Sequence, residues 1–167
     1  MSLKIAILTV SDRSFRGERA DISGPALQKE IESLSWQICL TAVIPDEVSE
    51  IAKILAEWAD SGQADVILTT GGTGFAPRDV TPEATRQVVE RLTPGLDEAM
   101  RAASLKITAH AMLSRAISGI RKSVLIVNLP GSPRGAVENF QIIAPVLPHA
   151  VELLRESRSA EQGHRAL

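Results

Sequence analysis

A chain of 167 residues is long enough for one domain with a full hydrophobic core and too short for two comfortable ones. A net charge of −2, with charged residues at 23%, supplies no basic field for duplex nucleic acid, and no apolar run approaches membrane-spanning length. Nucleic-acid and membrane roles are therefore disfavoured. The start, Met1-Ser2-Leu3-Lys4-Ile5, enters an apolar run directly and lacks the small-residue cleavage site of a signal peptide, so a cytoplasmic location is expected. The single Cys39 agrees, since one thiol builds no disulfide framework; it lies in an apolar run and reads as core filler.

Residues 4–10 are nearly continuous apolar and β-branched, which predicts a strand covered on both faces of a parallel sheet. The run ends at Ser11-Asp12-Arg13, and a polar first loop carries the chain to Ser23-Gly24-Pro25, where Pro25 suits a helix start. Residues 25–34 then read as a helix with Leu27, Ile31 and Leu34 on one stripe, and 36–44 as a second strand. Pro45-Asp46-Glu47 opens a helix whose apolar positions Val48, Ile51, Ile54, Leu55, Trp58 and Ala59 follow the helical period, and Gly62 ends it. A third strand begins at Val66. Strand and helix alternate through the first seventy residues, which implies right-handed βαβ units and an open, mostly parallel sheet with helices on both faces.

The third strand leads into Thr69-Thr70-Gly71-Gly72-Thr73-Gly74, with Arg78-Asp79 following and a helix start at Thr81-Pro82. A buried strand that ends in a glycine loop and then enters a helix is the layout of an anion site. Thr81-Pro82 and Thr93-Pro94 each place a side-chain cap before a proline, predicting helices over 82–92 and from Gly95 to about residue 107. Residues 118–123 read as a turn between two short strands, the second over 124–128. Leu129-Pro130-Gly131-Ser132-Pro133 repeats the theme of strand, tight turn and capped proline. The last helix extends to Leu154, kinked at Pro145 and Pro148, so that residues 1–155 form one domain and 156–167 a polar tail.

Three strand ends thus deliver Ser11-Asp12-Arg13, residues 69–74 and residues 128–132 to one sheet edge, the carboxyl edge at which open α/β sheets bind ligands. The glycine loop is not a P-loop, because Phe75-Ala76-Pro77 follows Gly74 where Lys and Ser or Thr are required. The dinucleotide fingerprint also fails, at Pro77. Asp46 and Asp79 each sit just past a strand end, and two carboxylates beside a phosphate loop suit Mg²⁺ held jointly with substrate phosphates. The alternative makes Asp46 an N-cap and Asp79 an Asx-turn residue. Arg78 and Arg115 are candidates to neutralise phosphate, against a reading as solvated surface arginines. His110, His149 and His164 show no metal-ligand spacing.

Residues 70–74 through Arg78-Asp79-Val80-Thr81-Pro82-Glu83-Ala84 resemble the molybdopterin adenylyltransferase family. So do Ser104-Leu105-Lys106-Ile107, Met112-Leu113-Ser114-Arg115, Gly119-Ile120-Arg121 and Asn128-Leu129-Pro130-Gly131-Ser132-Pro133. The N-terminal Leu8-Thr9-Val10-Ser11-Asp12-Arg13, Asp21-Ile22-Ser23-Gly24-Pro25 and Val43-Ile44-Pro45-Asp46-Glu47 fit as well, so the resemblance covers residues 4–154. That family includes the bacterial MogA-type enzymes and the related domains of plant and animal molybdenum cofactor proteins such as gephyrin. The resemblance implies a three-layer, Rossmann-like α/β fold and a homotrimer. It also implies AMP transfer from ATP to the terminal phosphate of molybdopterin, with release of pyrophosphate. By similarity, Asp46 and Asp79 are the acidic pair serving Mg²⁺ and ATP. Ser11, Asp12, Thr70, Gly71, Gly72, Thr73, Gly74 and Arg78 hold nucleotide phosphates, and Ser104, Ser114, Arg115, Asn128, Pro130 and Gly131 bind the pterin. A downstream molybdenum-insertion protein is the implied partner. Two alternatives stand beside this reading: a pterin-binding relative without adenylyl transfer, and a trimeric scaffold.

Overall fold

The computed structural model describes residues 1–155, and the expected polar tail over 156–167 lies outside the described residues. The chain runs β1 (Lys4–Val10), α1 (Asp12–Phe15), α2 (Ser23–Ser33), β2 (Gln37–Ile44), α3 (Val48–Asp60), β3 (Val66–Thr70) and α4 (Thr81–Val88). It continues through β4 (Arg91–Leu92), α5 (Pro94–Leu105), a 3₁₀ turn (Ala109–Leu113), β5 (Ser118–Arg121) and β6 (Val124–Leu129). Helix α6 (Pro133–Ile143), a 3₁₀ turn (Ala144–Val146) and α7 (Leu147–Leu154) complete it. The six strands form one sheet in the order β2-β1-β3-β6-β5-β4. The first four are parallel, whereas β5 and β4 join antiparallel at one edge.

Period-two alternation along the central strands builds a core on each face. Ile5 and Ile7 of β1, Val66 and Leu68 of β3, and Leu125 and Val127 of β6 pack with Leu27 and Ile31 of α2 and with Ala136, Phe140 and Ile143 of α6. The intervening Ala6, Leu8, Ile67 and Ile126 pack with Ile51 and Leu55 of α3 and Ala84 and Val88 of α4. Both faces are covered, so the central strands are largely apolar, with Thr9, Thr69, Thr70 and Asn128 as buried polar exceptions, as expected of a three-layer α/β fold. Cys39 is half-buried against the second core. No helix of the described residues is long and apolar enough to cross a membrane.

Three local expectations differ. The helix expected over 82–92 stops at Val88, because Arg91 and Leu92 pair antiparallel with Gly119 and Ile120 as the edge strand β4. The expected turn over 118–123 is the strand β5 up to Arg121, and only Lys122-Ser123 turn, with Lys122 at φ +52°. The last helix is interrupted, not merely kinked, at the 3₁₀ turn containing Pro145.

Candidate active site

The chain passes from β1 to β2 on one side of the sheet and back to β3 on the other, so the β1/β3 carboxyl ends form a topological switch point. There the glycine loop leaves β3. Thr70 Oγ1 donates to the Pro130 carbonyl at 2.7 Å, and the Gly71 N–H donates to the Leu129 carbonyl at 3.2 Å, tying this loop to the one after β6. Thr81 was expected to cap α4 through its side chain, yet its hydroxyl donates to the Gly71 carbonyl at 2.8 Å. The loop carbonyl takes the hydroxyl because Thr81 already lies inside the helix, with Val80 at the cap position. Thr93 does precede α5 but makes no side-chain capping bond, whereas Ser132 caps α6 as expected, accepting from the Gly135 N–H at 3.1 Å.

The glycines let two carboxylates approach the loop. Gly72 has φ +69°, and a Cβ there would stand 3.1 Å from Asp46 Oδ1 and closer than 3.0 Å to Thr81 Oγ1. A Cβ at Gly74 would stand 2.9 Å from Asp79 Oδ2. Asp46 is not the helix cap; Glu47 takes that position. Instead Asp46 and Asp12 bond reciprocally: the Asp12 N–H donates to Asp46 Oδ2 at 2.8 Å and the Asp46 N–H to Asp12 Oδ1 at 3.0 Å. Asp79 bonds locally, accepting the Ala76 N–H at 2.9 Å. Burial raises the Asp46 carboxyl above its ordinary value, the negative charges of Asp12 and Asp79 add to the rise, and the Asp12 N–H opposes it.

Arg78 is taken up by carboxylates. Its Nε and Nη2 each donate to Asp12 at 3.0 Å, and Nη2 also reaches Glu47 at 2.8 Å. This fork holds the Asp12 carboxyl below its ordinary value. Ser11 accepts from the Ser14 N–H at 3.2 Å and so starts the short helix α1.

Two cavities open beside this loop. The first, about 400 Å³, is lined by Ser11, Asp46, Thr70, Gly71, Gly72, Asp79 and Gly131 of the expected site residues, together with Asp21 and Ser23. The second, about 310 Å³, is lined by Thr73, Gly74, Ser104, Ser114, Asn128 and Pro130 of that set, between α5, the 3₁₀ turn at 109–113 and the start of α6. Ser132 lines both. Thr73 and Gly74 therefore face the second cavity and Gly131 the first, while Asp12, Arg78 and Arg115 line neither. The Arg115 guanidinium turns to the glycine loop, donating to the Gly74 carbonyl at 2.7 Å.

Asn128 forms part of the floor of the second cavity but is fully buried. Its amide donates to Thr69 Oγ1 at 3.0 Å and Thr85 Oγ1 at 2.9 Å, and its carbonyl accepts the Ile117 N–H at 3.3 Å. Sequence reasoning missed several neighbours. Asp97, 4% exposed, accepts from the Ser118 N–H at 2.9 Å and its hydroxyl at 2.6 Å, and burial raises its carboxyl above the ordinary value. Asn139 donates to Ser104 Oγ at 3.2 Å and the Gly135 carbonyl at 2.8 Å. Arg101 donates to the Ala116 carbonyl at 2.9 Å. Only Ser132 carried a sequence signal, as the capping residue of the Pro-Gly-Ser-Pro turn.

Fold and cavities together define an α/β protein with two neighbouring cavities at the carboxyl edge of its sheet, the edge at which open α/β sheets bind ligands. The family described as a probable molybdopterin binding domain matches residues 6–149, and the chain belongs to it. The molybdopterin adenylyltransferase of Helicobacter pylori strain J99 is 40% identical over 155 residues, covering 92% of this chain and 88% of that protein. The molybdenum cofactor synthesis protein cinnamon of Drosophila melanogaster is 45% identical over 159 residues, covering 95% of this chain; the chain spans 26% of that longer protein. The crystal structure of the molybdopterin biosynthesis enzyme MoaB from Thermus thermophilus superposes with a TM-score of 0.86 at 48% identity, covering 91% of this chain and 96% of the other.

Proposed function

We propose that the protein acts in molybdenum cofactor biosynthesis as a molybdopterin adenylyltransferase. The observation that carries this reading is the pair of neighbouring cavities that share Ser132 in their walls, one lined by the Asp46 and Asp79 carboxylates and the other by apolar Met100, Ile107 and Leu113 together with polar Ser104, Ser114 and Asn128. ATP occupies the first, with its phosphates against the glycine loop, and the pterin occupies the second. A terminal phosphate oxygen of the pterin attacks the α-phosphorus of ATP. The new bond joins that oxygen to AMP, the bond from the α-phosphorus to the bridging oxygen breaks, and pyrophosphate leaves with the electron pair. The incoming phosphate is the nucleophile, so the protein's task is positioning and charge stabilisation.

Asp46 and Asp79 fit a Mg²⁺ ion shared with substrate phosphates. They line one cavity, and the charge of Asp79 contributes to the raised Asp46 carboxyl, a mutual repulsion that a divalent cation relieves. Among the described residues no group of three or more His, Cys, Asp or Glu is arranged to hold a metal ion. When bound, Mg²⁺ would neutralise charge on the transferring phosphates. Asp12 orients Asp46 through its N–H and restrains Arg78 through its carboxylate. Asn128 serves the pterin cavity by fixing its floor. The homotrimer, the downstream molybdenum-insertion protein, the cytoplasmic location and a single working domain over 1–155 belong to the same reading. Asp46 favours the enzyme over a pterin binder without transfer, since a mere binder has no use for a half-buried carboxylate kept against two like charges.

The raised Asp46 carboxyl sets a pH dependence. The ionised form binds the cation-nucleotide complex, so that affinity is present above the folded pKa and lost as pH falls through it. Mg-ATP affinity is expected to fall with pH over a range reaching above the ordinary aspartate value of 3.8, and Asp46→Asn to lack that part of the loss; the same pH profile in wild type and Asp46→Asn would contradict the assignment. Stability runs the other way: the folded state takes up this proton more readily than the unfolded chain, so this group's destabilising effect fades as pH falls through the same window. The reading as a whole is tested by pyrophosphate release from Mg-ATP, expected only when molybdopterin is also supplied; release independent of the pterin would refute it.

A further inference from the structure

The segment 74–79, which carries Asp79, has little packing of its own. Phe75 is 67% exposed and residues 76–78 are exposed as well. Within the segment there are two bonds, Ala76 N–H to Asp79 Oδ2 and Asp79 N–H to the Ala76 carbonyl, each 2.9 Å. These shape the turn but do not anchor it to the fold. The Arg78 side chain ties the segment to Asp12 and Glu47, and its backbone is fastened at both ends by one residue outside it. Arg115 Nε donates to the Gly74 carbonyl at 2.7 Å, its Nη2 to the Asp79 carbonyl at 2.6 Å, and its own N–H to the Thr73 carbonyl at 2.8 Å. Its Nη1 pairs with Glu83 in the first turn of α4. One planar fork thus fastens both ends of the segment and is itself oriented by the helix that follows. Two carbonyls and a carboxylate met at once need the fixed donor geometry of a guanidinium, which an ammonium does not offer.

We infer that Arg115 is a positioning residue for adenylyl transfer, setting Asp79 in the nucleotide cavity and making no bond to the pterin. The inference rests on the adenylyltransferase reading and departs from the pterin-binding role that family resemblance implied for this residue. Its neighbours Ser114 and Ala116 line the pterin cavity, so Arg115 also joins that wall to the acidic loop.

The test compares wild type, Arg115→Met, Arg115→Lys, Asp79→Asn and the Arg115→Met/Asp79→Asn double variant. Pyrophosphate release, molybdopterin affinity without ATP, and amide hydrogen exchange over 74–79 are measured on each. Arg115→Met is expected to lower kcat by about 10²-fold, as for a misplaced active-site group, with molybdopterin Kd changed less than about twofold, within the error of an untouched contact. Exchange at Ala76 and Asp79 should quicken, and the double variant should be no slower than Asp79→Asn alone, because Arg115 acts through Asp79. Arg115→Lys keeps the charge opposite Glu83 but not the fork, and should match Arg115→Met in kcat and exchange while melting like wild type. A pterin Kd weakened tenfold in either variant, or losses that multiply in the double variant, would overturn the inference. Should wild type itself release no pyrophosphate, the enzymatic reading fails separately; unchanged exchange over 74–79 in the variants would then refute the brace on its own.

Discussion

Asp46→Asn and Asp79→Asn each lower the rate of pyrophosphate release by at least about 10²–10³-fold, the scale on which a preorganised charge-stabilising group acts, while molybdopterin affinity stays at the wild-type level. Both changes remove a negative charge from the cavity that receives the nucleotide phosphates, and neither touches the cavity assigned to the pterin. The substitution is close to isosteric. In Asp46→Asn the amide oxygen can still accept the Asp12 N–H, so the reciprocal Asp12–Asp46 arrangement survives. Melting temperature should therefore be unchanged or slightly raised, since burial and two neighbouring carboxylates already disfavour the charge at this position. Steady-state pyrophosphate release, pterin titration and a thermal scan check the three parts together. Near-normal turnover in both variants would remove Asp46 and Asp79 from the chemistry.

Gly71→Ala has the largest expected effect on the fold around the site. Gly71 has φ +105°, beyond the left-handed region that Asn or Asp tolerates, and a Cβ there would stand closer than 3.0 Å to the Val10 carbonyl oxygen. That oxygen is backbone at the end of β1, in the middle of the sheet, so it cannot swing aside as a side-chain tip would. The loop must move instead, which breaks the Gly71 N–H bond to Leu129 and the Thr81 hydroxyl bond to the Gly71 carbonyl. Strain and lost bonds together amount to about 3 kcal/mol, and the displaced loop no longer aligns with Asp46. Urea midpoint and pyrophosphate release should fall together. A variant with the wild-type midpoint and activity would mean that this loop conformation is not what the site requires.

The central sheet was legible because strands covered on both faces are largely apolar, as β1 and the start of β3 are, and the edge strand β2 breaks its apolar run only at Gln37 and Thr41. Helix α3 was legible from its 3.6-residue period. The opposite edge was not. Arg91 and Leu92 are exposed, and two residues are too few to show any period, so their pairing with β5 exists only through the partner strand. Gly119 reads locally as a turn residue, yet it sits in β5 where a Cβ would strike Val89 and the Arg91 carbonyl. The same division runs through the site. The glycine loop and its carboxylates are legible because they are contiguous or lie at strand ends. Asp97 and Asn139 lie in helices with nothing local to mark them, and reach the cavity only by packing. The two arginines show the limit most clearly. Arg78 and Arg115 were candidates for phosphate or pterin, but the charge of one is engaged by Asp12 and Glu47 and that of the other by loop carbonyls and Glu83, contacts spanning 31 to 66 residues of sequence.

The most direct measurement is the mass of the pterin bound to the protein after incubation with molybdopterin, Mg²⁺ and ATP. Adenylyl transfer predicts that the recovered pterin gains one AMP group, that one pyrophosphate appears for each, and that Asp79→Asn returns molybdopterin unaltered. Recovery of unaltered molybdopterin from the wild-type protein, tightly bound and without pyrophosphate, would contradict that account and identify a pterin-binding protein that does not transfer.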